Sequence, residues 1–389
     1  MKFVDEFRDP ELIKKTAEEI KSLVGDDHYR IMEVCGGHTH AIYRFGLEQL
    51  LPSGIELIHG PGCPVCILPM DRVDEGLAIA AAPEGDVILT VYGDMMRVPG
   101  YEGSPLEMKA KGLDIRMVYS PLDALKIAQS NLNKSVVFFA IGFETTAPAT
   151  ALTVMKAKEM GVDNFSVFVN HVTVIPPMRA VLDDPEMAID GFVGPGHVAT
   201  VIGAGAYEEI ARDYKKPVIV SGFEPLDILQ SLLLLIKQLK AGEARVENQY
   251  ERVVPWQANP VAEKVLSTVF ELRREFEWRG LGSIAASAVR LTAAYSDYDA
   301  EVKYADLLER HKKDRQDLID NQGHVFEGVA CQSRKRHDDA PCGQVLKGLM
   351  KPHQCKLFGK ECTPERPVGA LMVSSEGSCA AYFNYAKRS

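Results

Sequence analysis

Eight cysteines in 389 residues fall into two groups: Cys35, Cys63 and Cys66 early, then Cys331, Cys342, Cys355, Cys362 and Cys379 late. None lies between 67 and 330, and chance placement rarely leaves so long a gap. Cys342, Cys355, Cys362 and Cys379 stand 13, 7 and 17 positions apart, and four thiolates can hold tetrahedral zinc or a 4Fe-4S cluster. Zinc folds favour paired C-x2-4-C knuckles, which this run lacks, so the open spacing favours the cluster while leaving zinc a candidate. Cys331, in the polar string VACQSRKRHDD, reads as a spare thiol.

Cys63-Pro-Val-Cys66 brings two thiols within disulfide reach, and the Gly-Pro-Gly before it predicts a turn at the end of a strand. A helix starting there lowers a thiolate pKa and favours redox chemistry. Half a zinc site has the same spacing, but no second C-x-x-C completes one. Cys35-Gly36-Gly37-His38-Thr39-His40 follows an apolar run and opens a helical stretch. It offers one thiolate and two imidazoles to iron, copper or zinc, or forms a Cys-His nucleophilic pair. The glycines admit a ligand close to the backbone. A Gly-Gly turn with incidental polar neighbours would look the same for Cys35 alone; the nearby GPGCPVC turn argues for a shared crevice. Glu144 in GFETTAP, His171 in NHVTVIPPMRA and His197 in GPGHVATVIG occupy similar turns and are each expected to be structural. Neither a P-loop nor a complete G-x-G-x-x-G is present.

The elements that position these residues follow from periodicity. Residues 10–24 place Leu12, Ile13, Ala17, Ile20 and Leu23 on one stripe, with Gly25 as a stop, which predicts an amphipathic helix. Apolar runs at 30–34, 55–58, 87–92, 115–119, 136–141, 166–169, 191–193 and 218–220 alternate with helical stretches, the pattern of parallel strands buried on both faces. The fold class is therefore α/β: two similar doubly wound, Rossmann-like parallel-sheet domains, plus a mainly helical C-terminal domain carrying the late cysteines. MEVCGGHTHA echoes FAIGFETTAP, LIHGPGCPVC echoes GFVGPGHVAT, and VILTVYGDMM echoes VIVSGFEPLD. These echoes suggest a first α/β domain over 28–128, a second over 129–228, and a third built from 1–27 and 229–389, with helices at 229–239 and 261–276. The stretch from 331 has too few periodic apolar residues for its own core.

Lys plus Arg numbers 44 against 54 for Asp plus Glu, a net charge of -10, which repels a phosphate backbone and argues against nucleic acid. No window supplies 18 uncharged apolar residues, and the N-terminus lacks the character of a signal peptide. A cytoplasmic protein without membrane attachment is expected, in which cysteines serve metals or redox chemistry.

Together the strings MEVCGGHTH, HGPGCPVC, YGDMMRVPG, GFETTAP, NHVTVIPPMRA, GPGHV, CGQVLKG and CTPERPVGALMVSSEGSCAAY resemble the hydrogenase-maturation HypD family across nearly the whole chain. The resemblance implies a metallocentre-assembly scaffold with redox activity, rather than a conventional turnover enzyme. On it an iron with two cyanides and one carbonyl is built for nickel-iron hydrogenases. It implies Cys35 as the ligand of that iron, with His38 beside it, Cys63 and Cys66 as a redox dithiol, and Cys342, Cys355, Cys362 and Cys379 as ligands of a 4Fe-4S cluster. It also implies two partners, a HypC-like small chaperone and a HypE-like cyanide donor. A cluster beside a dithiol is similar to the arrangement in ferredoxin-thioredoxin reductase. The alternatives are a thiol-disulfide oxidoreductase of that sort and a zinc-stabilised interaction module.

Overall fold

A computed structural model describes residues 5–82, 86–321 and 341–386; Cys331 lies outside the described residues. The first helix runs over Pro10–Val24 as its stripe predicts. Asp9 caps it by accepting from the N–H groups of Glu11 and Leu12 at 2.8 and 3.2 Å, and Gly25 ends it. All eight apolar runs are strands: β1 (Tyr29–Glu33), β2 (Ile55–His59), β3 (Val87–Val91), β4 (Ile115–Met117), β5 (Ser135–Gly142), β6 (Phe165–His171), β7 (Gly191–Pro195) and β8 (Val218–Ser221). A short ninth strand, β9 (Val246–Asn248), follows the helix Pro225–Ala241.

The strands form two wholly parallel sheets, ordered β2-β1-β7-β8-β9 and β4-β3-β5-β6. Taken in chain order, both read second, first, third, fourth. The chain thus builds two similar doubly wound units. Their strands, however, do not follow the division at residue 128. β1 and β2 belong with β7, β8 and β9, and the β3–β6 sheet is inserted between β2 and β7. Nor do the echoing strings mark equivalent strands: sheet order matches β1 with β3 and β7 with β5, whereas the echoes pair β1 with β5. The physical reason is that glycine turns recur wherever a strand feeds a helix at a sheet's carboxyl end, whichever strand it is.

Apolar residues on the outer face of the first sheet pack against the helices Pro10–Val24 and Pro225–Ala241. The second sheet's outer face meets the helices Pro121–Ser130 and Ala147–Glu159. Between the sheets lies the largest core, which includes Met32, Ile58, Phe139, Phe168, Phe192 and Val220 together with Cys63, Cys66, Cys362 and Cys379.

The C-terminal region is helical but not continuously so. The helix expected over 261–276 stops at Val269; Phe270 begins β10 (Phe270–Leu272), which pairs with β13 (Val289–Leu291). β11 (Glu275–Trp278) and β12 (Gly282–Ala285) form a hairpin in which Phe276 and Trp278 are buried at period two. That alternation places both aromatics in the central core, which a helix over these residues would not do. The late segment gains its order by borrowing: Val345, Leu346, Val368, Leu371, Met372 and Ala380 are buried in the same central core. Among the described residues no helix is long and apolar enough to cross a membrane.

Candidate functional site

In open α/β sheets ligands bind outside the carboxyl ends of the strands where strand order reverses. In the first sheet that point lies between β1 and β7, and Cys35 sits just beyond β1 as the N-cap of the helix Gly36–Arg44. The Gly60-Pro61-Gly62 turn after β2 is tied to it: Gly60 N–H donates to Glu33 O at 2.9 Å and Gly36 N–H to Gly62 O at 3.2 Å. A Cβ on Gly62 would fall on the backbone of Val34 and Cys35. The CGGHTH and GPGCPVC motifs are therefore one structure. Gly62→Ala is expected to cost about 1–3 kcal/mol through overpacking, read as a lowered melting temperature; unchanged melting would show that the two turns are not in contact.

Glu33, an acid within the apolar run of β1, is the hub that the sequence reading passed over. It is buried; Oε2 accepts from Cys35 N–H at 2.8 Å, and Oε1 accepts from the Thr39 hydroxyl and from His59 Nδ1 at 2.8 Å. Burial of the Cys35 thiol, then Glu376 and Glu33, push its pKa up to about 12. A metal taking this sulfur must displace its proton, so binding and proton release are coupled.

His38 is fully buried, and its Nε2 lies 2.9 Å from Gly222 O and 3.3 Å from Ser221 O. Burial lowers its pKa and keeps the ring neutral. The hydrogen must sit on Nε2 to serve those carbonyls, which leaves Nδ1 a buried lone pair with no partner among the described residues. With the hydrogen on Nε2, Nδ1 has none to donate and can only accept or ligate. Phe223 holds it from one side, stacked at 4.5 Å, with His197 stacked on Phe223 at 3.8 Å. His197 thus joins the same switch point, while His40 turns away, with Nδ1 3.3 Å from Ser375 O.

At the equivalent switch of the second sheet, beyond β5, Glu144 Oε1 accepts from Val174 N–H at 3.0 Å and Oε2 has no partner among the described residues. Burial pushes this carboxyl up to about 7. Tyr207 is fully buried with a hydroxyl that has no partner among the described residues, and burial, then the neighbouring Glu144 and Cys35, raise its pKa. His171 is structural as expected, with Nε2 2.8 Å from Thr150 Oγ1.

Cys63 and Cys66 are joined as a disulfide across the short helix Pro64–Ile67 and are 4 % and 0 % exposed. That helix packs against the turn Ala370–Met372. Leu371 and Met372 in turn line an apolar pocket with Cys342, Cys355, Cys362 and Cys379. Burial raises the thiols of Cys342, to about 11, and of Cys362 and Cys379. The four sulfurs surround the pocket instead of gathering on one point, and among the described residues no three His, Cys, Asp or Glu side chains converge as a single-ion site. An apolar pocket lined by four cysteines, each a thiolate donor once deprotonated, fits a polynuclear iron-sulfur group. The helix Ser378–Tyr385, which carries Cys379, packs on the Gly36–Arg44 helix, and Glu376 packs directly on Gly36. Thus all three cysteine motifs of the sequence meet in one region.

Fold and site together define the class: an α/β protein with two parallel sheets, a free cysteine at a strand-order switch, a buried disulfide and a four-cysteine pocket. A family model described as "HypD: Hydrogenase formation hypA family" matches residues 11–386. The hydrogenase maturation factor HypD of Rhodobacter capsulatus is 52% identical over 391 residues, covering 99% of this chain and 98% of that protein. That of Escherichia coli K12 is 48% identical over 391 residues, with 99% and 98% covered, and that of Cupriavidus necator 47% over 395 residues, with 100% and 98%. The chain belongs to the HypD family, whose members named here are hydrogenase maturation factors.

Proposed function

We propose that the protein is a cytoplasmic scaffold for the assembly and transfer of an iron with two cyanides and one carbonyl during maturation of nickel-iron hydrogenases. The observation that carries this reading is the meeting of three sulfur motifs: Gly62 joins the Cys35 turn to the dithiol, and Ala370–Met372 joins the dithiol to the four-cysteine pocket. In this reading Cys35 holds the iron as cargo; its soft thiolate suits low-spin ferrous iron with strong-field ligands. In this reading the neutral His38, whose Nδ1 is buried without a partner among the described residues, is an acceptor or second ligand beside Cys35. Cys342, Cys355, Cys362 and Cys379 are the residues that would hold a 4Fe-4S cluster, which supplies single electrons when bound. Opening the Cys63–Cys66 bridge takes two electrons and two protons and yields two thiols.

The proposed partners are a HypC-like small chaperone sharing the iron and a HypE-like protein delivering cyanide. A general thiol-disulfide oxidoreductase must present a sulfur to a macromolecular substrate, and the burial of both Cys63 and Cys66 argues against that role. The test is infrared spectroscopy of the chain purified anaerobically with its small chaperone. Cyanide and carbonyl stretches are expected together with negligible turnover of a generic disulfide substrate. Absent bands alongside rapid disulfide turnover would replace the scaffold reading with the oxidoreductase one.

A further inference from the structure

Arg279 stands at the tip of the β11–β12 hairpin, in no motif that the sequence reading singled out. Its backbone N–H donates to Ile67 O at 2.8 Å, its Nε to Leu68 O at 2.7 Å and its Nη2 to Pro99 O at 3.1 Å. Two of these carbonyls belong to the residues directly after Cys66, so the hairpin tip clamps the end of the dithiol helix. On the other side, Gly280 with φ 78° touches the backbone of Gly343, the neighbour of Cys342; a Cβ on Gly343 would lie 2.8 Å from Gly280 Cα. The electrostatic partners of the guanidinium are Cys342 first, then Tyr101 and Asp74, and among the described residues no carboxylate forms an ion pair with it.

A partly buried cation whose hydrogen bonds go only to carbonyls is stabilised by further negative charge nearby. Here the Gly280–Gly343 contact sets the hairpin tip one residue from Cys342, which lines the four-thiol pocket where several negative charges would gather. We propose that Arg279 is a positioning residue that couples the Cys63–Cys66 dithiol to the four-cysteine centre and whose positive charge raises the reduction potential of the group held there. This rests on the reading that the four thiolates hold an iron-sulfur cluster. Reduction adds one negative charge to such a group, and a fixed cation beside Cys342 favours that form; net charge and hydrogen bonding are among the protein's levers on cluster potential.

The test uses the full chain purified anaerobically as wild type, Arg279→Lys and Arg279→Gln, with iron and sulfide analysis and a redox titration followed by electron paramagnetic resonance. Gln, which removes the charge, is expected to lower the reduced-to-oxidised ratio at fixed potential by roughly tenfold, a fall in midpoint of about 59 mV for one electron. Lys, which keeps the charge, should titrate near wild type. If Gln loses the cluster while Lys keeps it, the charge role is supported in a stronger form. The inference is overturned if Gln titrates like wild type, or if Lys and Gln fall or lose the cluster alike, because the arginine would then matter for packing only. Wild-type chain without iron and sulfide would sink the cluster reading itself, and this inference with it.

Discussion

Replacing Cys35 by serine is expected to remove the cyanide and carbonyl bands from protein copurified with its small chaperone, while the fold and the four-cysteine centre survive. What holds the turn is backbone: Cys35 N–H donates to Glu33 Oε2, and Cys35 O accepts from the N–H groups of His38 and Thr39 at 2.9 and 3.2 Å. The thiol itself makes no capping hydrogen bond to the helix it precedes. Serine is a preferred N-cap, so the substitution should leave helix stability unchanged or raise it by up to about 1 kcal/mol. Its hydroxyl, however, is barely ionised at neutral pH and is a hard donor. Changing a second-shell group alone commonly weakens a metal site roughly 10–100-fold, and losing the sulfur ligand should do at least as much. The check is the infrared spectrum beside a thermal melt. Bands at wild-type intensity in a stable variant would make Cys35 a turn residue and remove the basis of the assembly site.

Cys355→Ala should empty the four-cysteine pocket. Cys355 closes the short turn Pro352–Gln354 and is only partly buried, so shortening it to alanine loses little packing, and whatever follows reports on the ligand. Iron and acid-labile sulfide are expected to fall to near background, and residues 341–386 to become protease-sensitive, because a bound centre contributes folding free energy to the segment that holds it. Packing alone would keep some order: Arg97 Nη2 donates to Val373 O at 2.9 Å and Lys351 Nζ to Leu57 O at 2.8 Å. The loss should therefore be local, with both parallel sheets intact by circular dichroism. Iron and sulfide at wild-type levels would exclude Cys355 from the ligand set.

The distance between sequence and structure is clearest at β1. RIMEV announces a buried strand through its apolar residues, yet its one acid, Glu33, proves to be the hydrogen-bonding centre of the site. A charge inside an apolar parallel run was a usable signal, since such a group must find partners when buried. Phe223 and Tyr207 carried no comparable signal. An aromatic residue in a helical or turn segment looks like ordinary core until the fold sets Phe223 between His38 and His197, or buries the Tyr207 hydroxyl without a partner among the described residues. Arg279 is the extreme case, since an exposed turn arginine and one clamped onto the dithiol helix read identically in one dimension.

Much of the local order was determined by the sequence alone, the strands within 270–278 excepted. Apolar runs, glycine turns and the stripe of residues 10–24 specified eight strands and the first helix, because backbone periodicity and burial act over a few residues. The cysteine spacing likewise determined which thiols can act as a pair and which as a set of four. Tertiary structure decided which strands are neighbours. Every strand buried on both faces presents much the same apolar run, so nothing local tells the chain to leave the first sheet after β2, build the β3–β6 sheet and return at β7. That choice, made by packing across the central core, is what brings Cys35, the Cys63–Cys66 bridge and the Cys342, Cys355, Cys362 and Cys379 pocket to one side of the molecule.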